Sequence, residues 1–455
     1  MQTSARQAAI EILCQWEQLQ QPVDQVRDAW LVSNPLADSR DRQLLMALVY
    51  GVLRRRGYLD SVIGRFSRHP LHKMKPRTRQ ALRVGVFQLL FFDRIPPAIA
   101  IHETVQVLKA ARQPAWLTGF VNATLRGIDR ERSGLPDPSG MNESAVAAGF
   151  LNHPLWLVER WIKRYGKDIA YSICRQNSEV PDLGLLVNLA RTTTVDFFRR
   201  LAEQGIAAQP GRAPAAVRLP GYRGQIHEIP GYVEGFFQVQ DEAAQLVVEL
   251  LRPFGAGRYL DGCAGLGGKT GQLAGLLPSA ARITAVEPSS NRVGLLKQNL
   301  TRLGILDRVE IVNSRLAELV ESHAALFDRV LVDAPCSGIG VIRRQPDIRW
   351  LRQPADLLRY QEGQLALLAA AAFLLKKEGV LVYATCSTEP EENDEVIARF
   401  LQSNPEIRLT DCREFLPVTA RDLVDDQGFL RTLPVNGELD GFFAARLQKT
   451  GKKPE

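Results

Sequence analysis

The chain is 455 residues long, 45% apolar and 24% charged, the balance of a folded polypeptide that should divide into about two to four domains. Net charge is +7, and residues 1–150 carry 20 Lys/Arg against 13 Asp/Glu, so the first third holds the whole excess. No run of about 18 uncharged apolar residues occurs, which excludes a membrane-spanning helix; the longest candidate, 365–375, ends in Lys376-Lys377. Six cysteines, at 14, 174, 263, 336, 386 and 412, form no C-x-x-C pair and no cluster with histidine. That argues against a metal site and a disulfide framework, and fits free thiols in a reducing cytoplasm.

The N-terminus, MQTSARQAAIEIL, has the pattern of an amphipathic helix and not of a signal peptide. Helical spacing continues in Ala8-Ala9-Ile12-Leu13-Trp16, Leu44-Leu45-Leu48-Val49-Val52 and Leu82-Val86-Leu89-Leu90, so residues 1 to 130 are expected to be all helix. Between Arg54 and Arg83 lie ten basic residues (Arg54, Arg55, Arg56, Arg65, Arg68, Lys73, Lys75, Arg77, Arg79, Arg83) and one acid, Asp60. Charge runs are ordinarily solvated helix faces. One this long, nearly all Arg and Lys, favours a polyanion such as RNA or DNA.

Residues 133–142, SGLPDPSGMN, read as a linker. Helix resumes at 153–166, HPLWLVERWIKRYG. From 183 to 240 the pattern changes to a strand (Leu185–Leu189), a helix (Thr194–Gln204) and another strand (Ala216–Leu219), a small α/β subdomain. Beyond 240, strands Arg258–Asp261, Arg282–Glu287, Val309–Val312, Arg329–Asp333 and Gly379–Ala384 alternate with helices, notably Asn291–Leu303 and Ala355–Lys377. Such alternation predicts a parallel sheet covered on both faces. Residues 407–409 and 442–447 are expected to add an antiparallel strand pair.

After the first of these strands comes Asp261-Gly262-Cys263-Ala264-Gly265-Leu266-Gly267-Gly268-Lys269-Thr270. Glycines there let backbone approach a ligand, and the following helix presents free N–H groups. Glu287, some 20 residues on, is where a ribose diol would be held, so a dinucleotide would fit as well. A P-loop is excluded, because no glycine frames the four residues ahead of Gly268-Lys269-Thr270. Two later strands run into Asp333-Ala334-Pro335-Cys336-Ser337-Gly338 and Tyr383-Ala384-Thr385-Cys386-Ser387. Residues past the carboxyl ends of neighbouring parallel strands line one crevice. Cys336 and Cys386 should therefore share a site, although free cysteines are commonly just buried apolar residues.

These motifs resemble the RNA 5-methylcytosine methyltransferases: DAPCSG at 333–338, YATCS at 383–387, the 263–270 loop, GVIRRQPDIRW at 340–350, PEEN at 390–393 and DGFF at 440–443. The first segment resembles a NusB-like RNA-binding domain through LVYGVLRR at 48–55, Leu82-Arg83, Gly85, Gln88-Leu89 and FVNA at 120–123. The pairing is similar to the bacterial RsmB (Sun/Fmu) family, whose target is a cytosine of small-subunit (16S) ribosomal RNA. The resemblance implies a NusB-like all-α domain at 1–135, a small α/β subdomain at 150–240 and a Rossmann-like class I methyltransferase domain at 241–450. It implies S-adenosylmethionine as cofactor, held by Cys263, Ala264, Gly265, Leu266, Gly267, Gly268, Lys269, Glu287, Ser314 and Asp333. Two positions depart from the family pattern. Leu266 stands where proline is usual, and Ser314 where an aspartate would meet the adenine amino group.

The resemblance also implies roles. Cys386 would add to carbon 6 of the base, which makes carbon 5 reactive. Asp333 would hydrogen-bond or protonate N3, and Cys336 would assist loss of the carbon-5 proton. The alternative gives the attack to Cys336, as in DNA cytosine methyltransferases. The expected partner is RNA and not DNA, at a single-stranded loop or bulge from which the base can be unstacked, and the protein is expected to be a monomer. A transfer-RNA methyltransferase, or a binding module with a degenerate catalytic domain, are the rival readings.

Overall fold

Apolar residues spaced three and four apart wind the N-terminal part into helices α1 (Ala5–Leu19), α2 (Val23–Ser33), α3 (Ser39–Phe66), α4 (Pro76–Phe91), α5 (Pro97–Ala110) and α6 (Ala115–Arg130). Their starts are encoded locally. The Ser4 hydroxyl accepts the Gln7 N–H and the Asp38 carboxylate accepts the Arg40 N–H, while Pro76 and Pro97 open α4 and α5, where no N–H is needed. Leu13, Trp16, Leu48, Val52, Leu82 and Leu89 are buried in one shared core. The computed structural model describes residues 3–136, 149, 151–252, 255–320 and 326–450. The linker expected at 133–142 therefore lies mostly outside the described residues.

Contacts divide the chain into two units, Met1–Val180 with Ile342–Arg352, and Pro181–Val341 with Gln353–Glu455. Helices α7 (Leu155–Tyr165) and α8 (Lys167–Asn177) belong to the first. So does a piece of chain that sequence order would assign elsewhere. Residues 342–352 hold a single helical turn, Ile348–Leu351, whose Arg349 is 0% exposed. Its guanidinium donates to the carbonyls of Asn152 (3.1 Å) and Asn177 (2.7 Å). The Trp350 indole N–H donates to the Leu53 carbonyl at 2.8 Å, and the Val23 N–H to the Asp347 carboxylate at 2.9 Å.

The basic run differs most from its sequence reading. Arg54 is 8% exposed and donates to the Arg343 carbonyl; Arg55 pairs with Glu179 at 2.9 Å. Arg56 lies over the rings of Trp350 and Trp16, at 4.8 and 5.9 Å. Arg79 pairs with Glu17 at 2.8 Å, and buried Arg83 grips both oxygens of Asp60. These side chains hold the unit together, because α3 and α4 turn them inward where carbonyls and carboxylates meet them. Only Arg65, Arg68, Lys73 and Lys75 of the run are fully exposed.

The second unit opens with a four-stranded antiparallel sheet of β1 (Leu183–Val187), β2 (Gln209–Pro210), β3 (Ala216–Leu219) and β4 (Phe237–Val239), in the order β2-β3-β1-β4, with α9 (Thr194–Glu203) packed on it through Phe197 and Leu201. The short β2 and β4 carry too few residues for an alternation to register, so sequence reading missed them. After α10 (Glu242–Glu249) follow β5 (Arg258–Asp261), α11 (Gly268–Leu276), β6 (Arg282–Val286), α12 (Ser290–Leu303), β7 (Val309–Val312), β8 (Phe327–Asp333), α13 (Pro354–Leu374), β9 (Leu375–Thr385), α14 (Asp394–Ser403), β10 (Ile407–Thr410), β11 (Leu430–Thr432) and β12 (Phe442–Lys449). Strand order is β10-β12-β9-β8-β5-β6-β7, with β11 on β12. Strands β5 to β9 are parallel, and β12 runs antiparallel to both β9 and β10, as residues 407–409 and 442–447 suggested. The helix expected to reach Lys377 stops at Leu374. Leu375 already pairs with Phe327, and Glu378 at φ 60° turns the chain before Val380 resumes the ladder.

Arg349→Leu tests whether residues 342–352 are integral to the first unit. Two buried carbonyls would lose charge-assisted donors, so stability should fall by about 3 kcal/mol in denaturant unfolding followed by tryptophan fluorescence. A loss below about 1 kcal/mol would mean that the segment contributes little to that unit.

Candidate active site

The register of two parallel strands builds the site. Asp333 of β8 pairs with Ala384 of β9, and the ladder runs one bond further, from the Ala334 N–H to the Ala384 carbonyl at 2.9 Å. Cys336 lies three residues past the paired position on one strand and Cys386 two past it on the other. Their sulfurs are 3.2 Å apart. The Gly340 N–H donates to the Cys386 carbonyl at 2.9 Å, a second tie between the two loops.

Lys269, from the first turn of α11, donates to the Asp333 carboxylate at 2.6 Å. Burial alone would lower the lysine pKa; the Asp333 charge, with Asp261 and the Cys386 sulfur, outweighs burial and raises it above the ordinary value. The ammonium is therefore kept. The hydrogen bond to Cys386 pushes the Cys336 thiol well above its ordinary range, and burial and the nearby charges of Cys386, Glu392 and Asp333 add to this. Burial raises Cys263 as well, which suits a bystander and not a nucleophile.

The turn between β5 and α11 is shaped for a ligand. Gly265 and Gly267 have φ of 55° and 87°, and a Cβ on Gly265 or Gly268 would meet nothing within 4 Å, so the backbone faces open space there. Leu266 is half exposed and the glycines make the turn, so leucine in place of proline costs no packing. Beneath the turn, Asp261 is 1% exposed and accepts the Thr270 hydroxyl at 2.7 Å; burial pushes its carboxyl up to about 6. Buried Glu287, past the end of β6, accepts the Ser289 N–H at 2.8 Å and could take a ribose diol on its remaining oxygen. Cys263 to Lys269, Glu287 and Asp333 thus lie in or beside one crevice at the carboxyl ends of β5, β6 and β8.

Ser314 is placed differently from its neighbour. Its hydroxyl turns to the Arg315 carbonyl at 3.3 Å, whereas the Asn313 side chain donates to the Glu287 carbonyl at 2.9 Å and accepts from Ser290. Asn313 is the side chain past β7 that joins the Glu287 wall. It escaped sequence reading because the position of a strand end is uncertain by a residue. Glu392 was missed too, although it lies in the PEEN motif. It is 0% exposed, and Ser337 and Ser387, one residue past each cysteine, both donate to it. Among the described residues, no three His, Cys, Asp or Glu side chains are grouped to hold a metal ion, and no helix is long and apolar enough to cross a membrane.

A glycine turn, an acid on the next strand and a parallel sheet flanked by helices define a Rossmann-like S-adenosylmethionine-dependent methyltransferase. The comparisons narrow the class. Residues 248–448 match the family model of the 16S rRNA methyltransferase RsmB/F, residues 3–130 that of the NusB family, and 153–223 the ferredoxin-like domain of RsmF/B-like methyltransferases. A Bacillus subtilis protein named "Probable ribosomal RNA small subunit methyltransferase B" is 36% identical over 99% of both chains. The ribosomal RNA small subunit methyltransferase B of Salmonella newport is 35% identical over 95% of this chain and 96% of its own. A crystallised methyltransferase homolog from Pyrococcus horikoshii superimposes with a TM-score of 0.57 at 26% identity, over 68% of this chain and all of its own. The chain belongs to the RsmB/F family of 16S rRNA methyltransferases. It is an enzyme, and S-adenosylmethionine is its cofactor.

Calorimetry on two variants will show which residue past β7 meets the adenine. Asn313→Ala should weaken S-adenosylmethionine binding about tenfold, the worth of one hydrogen bond, while Ser314→Ala should change it by less than about twofold. The opposite order would return the role to Ser314.

Proposed function

We propose that methyl transfer to carbon 5 of a cytosine in 16S ribosomal RNA proceeds through a covalent bond between Cys386 and carbon 6. The observation that carries this reading is the 3.2 Å approach of the two sulfurs beside the 2.6 Å Lys269–Asp333 pair. Carbon 5 of cytosine is a poor nucleophile. When the Cys386 thiolate forms a bond to carbon 6, the ring's electron pair shifts to make carbon 5 an enamine carbon. Asp333 takes the N3 edge of the ring, and the buried ammonium of Lys269 offsets the negative charge that Asp333 and the Cys386 sulfur bring together. S-adenosylmethionine, when bound, supplies an electrophilic methyl group.

The assignment of attack to Cys386 is supported by where the proton sits. A thiol held well above its ordinary pKa by a hydrogen bond to its neighbour is the donor of the pair, so Cys336 keeps its proton and Cys386 accepts. Once Cys386 is bonded to carbon, the negative sulfur that retained that proton is gone. Cys336 can then ionise and take the proton from carbon 5, after which the carbon–sulfur bond breaks and the Cys386 thiolate returns.

Residues 1–135 are the RNA-docking part in this reading, 150–240 a small α/β subdomain and 241–450 the catalytic part, a division that the spans of the three family models support. The exposed quartet Arg65, Arg68, Lys73 and Lys75 is then the phosphate-binding face, because Arg54, Arg55 and Arg56 are already engaged within the unit. Four phosphate contacts would contribute a slope of roughly −3 to −4 to log affinity against log salt. Replacing the quartet with alanine should remove that part of the slope and leave cofactor affinity unchanged. An unaltered slope would assign RNA contact to another face.

The cysteines should fail in different ways. Cys386→Ser leaves an alcohol that barely ionises at neutral pH, so this variant should bind RNA and yield neither adduct nor product. Cys336→Ser should attack and methylate, then stall as an RNA–protein species that survives denaturing electrophoresis. An adduct in Cys386→Ser and none in Cys336→Ser would make Cys336 the nucleophile, and equal partial activity in both would sink covalent attack altogether.

A further inference from the structure

Glu392 lies outside the roles assigned so far, yet it is 0% exposed directly behind both cysteine loops. Its carboxylate accepts four hydrogen bonds. One oxygen takes the Ser337 N–H at 2.7 Å and the Gln364 amide at 3.2 Å; the other takes the Ser337 hydroxyl at 2.6 Å and the Ser387 hydroxyl at 2.5 Å. Ser337 follows Cys336, and Ser387 follows Cys386. The backbone at Glu392 is anchored in turn, its carbonyl accepting the buried Tyr383 hydroxyl at 2.6 Å. Next to it, Asn393 accepts the Thr385 hydroxyl at 2.6 Å and donates to the Ser387 carbonyl at 2.9 Å.

We propose that Glu392 is a positioning residue that clamps the two cysteine loops together, fixing the spacing of their sulfurs by holding the serine beside each one. The idea deepens the reading in which Cys386 attacks and Cys336 completes the reaction, and its chemical purpose rests on that reading. Two thiols that act in turn on adjacent ring atoms must stay in register throughout. Strand pairing ends at Ala334 and Ala384, so something past the strands must set the last two or three residues. A carboxylate suits this task because it accepts from both loops without donating. Each of its four acceptor positions is filled, which compensates for carrying charge into the interior. The cost is visible: burial raises the Glu392 carboxyl above its ordinary value, against the pull of the Ser337 and Ser387 hydrogen bonds.

The test is Glu392→Gln in the full-length enzyme, an isosteric change that turns one acceptor oxygen into an amide donor. Sulfur spacing is read without catalysis by phenylarsine oxide, whose arsenic bonds to two thiols with loss of water only when both are within reach. Cys336→Ser and Cys386→Ser serve as single-thiol controls. Wild-type enzyme should bind the arsenical in a way that both controls lose, and Glu392→Gln should bind it about tenfold more weakly, the effect of one lost hydrogen bond. Its kcat should fall about 100-fold, as expected for displaced reacting groups, with KM for RNA and cofactor affinity within about twofold of wild type. If Glu392→Gln does not fold, Ser387→Ala and Ser337→Ala each open one arm of the clamp and carry the same readouts. Wild-type arsenical affinity in the folded variant overturns the clamp, whatever happens to kcat. Weak arsenical binding together with an adduct in Cys386→Ser would keep the clamp and reject only the choice of nucleophile.

Discussion

The whole site depends on the parallel pairing of β8 with β9. With Asp333 opposite Ala384, the chains leave the sheet side by side, and a shift of one residue would turn Cys336 or Cys386 toward the other face. Both strands are buried on two sides, so their register is set by core packing: Val330, Val332, Leu381 and Tyr383 belong to one cluster, and Leu331, Val382 and Ala384 to another. The chemistry inherits its precision from this apolar core. No active-site residue has to supply the register itself.

On that frame, charge is distributed so that each buried ion has an answer close by. Lys269 enters from α11 and is met by Asp333, with Asp261 behind it; Glu392 enters from the loop after β9 and is met by donors alone. The two arrangements differ in consequence. A cation beside Cys386 favours its thiolate, while an anion behind Ser337 disfavours ionisation of Cys336. Two chemically identical side chains 3.2 Å apart are thereby made unequal by what surrounds them.

Much of this was legible in the sequence, for identifiable reasons. Strands Arg258–Asp261, Val309–Val312 and Ala216–Leu219 coincide with the observed ones because short apolar runs bounded by glycine or charge leave little freedom. The meeting of Cys336 and Cys386 followed from their equivalent positions past neighbouring strands. What failed to show were partnerships made across long sequence separations. Arg54 to Arg83 read as a charged surface because nothing in the sequence reveals that Arg83 meets Asp60, that Arg79 meets Glu17 or that Arg54 meets residue 343. Likewise GVIRRQPDIRW stood out as a motif, yet its Arg349 is bonded to carbonyls at 152 and 177. Glu392 looked like one acid among several in PEEN, and only burial sets it apart from Glu391.

Burying polar groups here is not the stablest use of the space. A buried carboxylate with two serines could in general be replaced by well-packed apolar residues at no loss, or even some gain, in stability. Apolar contacts, however, are non-directional and tolerate small shifts, whereas four hydrogen bonds to one carboxylate are satisfied in a single arrangement of the two loops. The same holds for Arg349 in the other unit, where two directional bonds to carbonyls specify the path of residues 342–352. That segment begins six residues after Cys336, so the path it is given also fixes where the Cys336 loop must lead. Conformational uniqueness, rather than net stability, is therefore the physical reason for the buried charge on both sides of this stretch of chain.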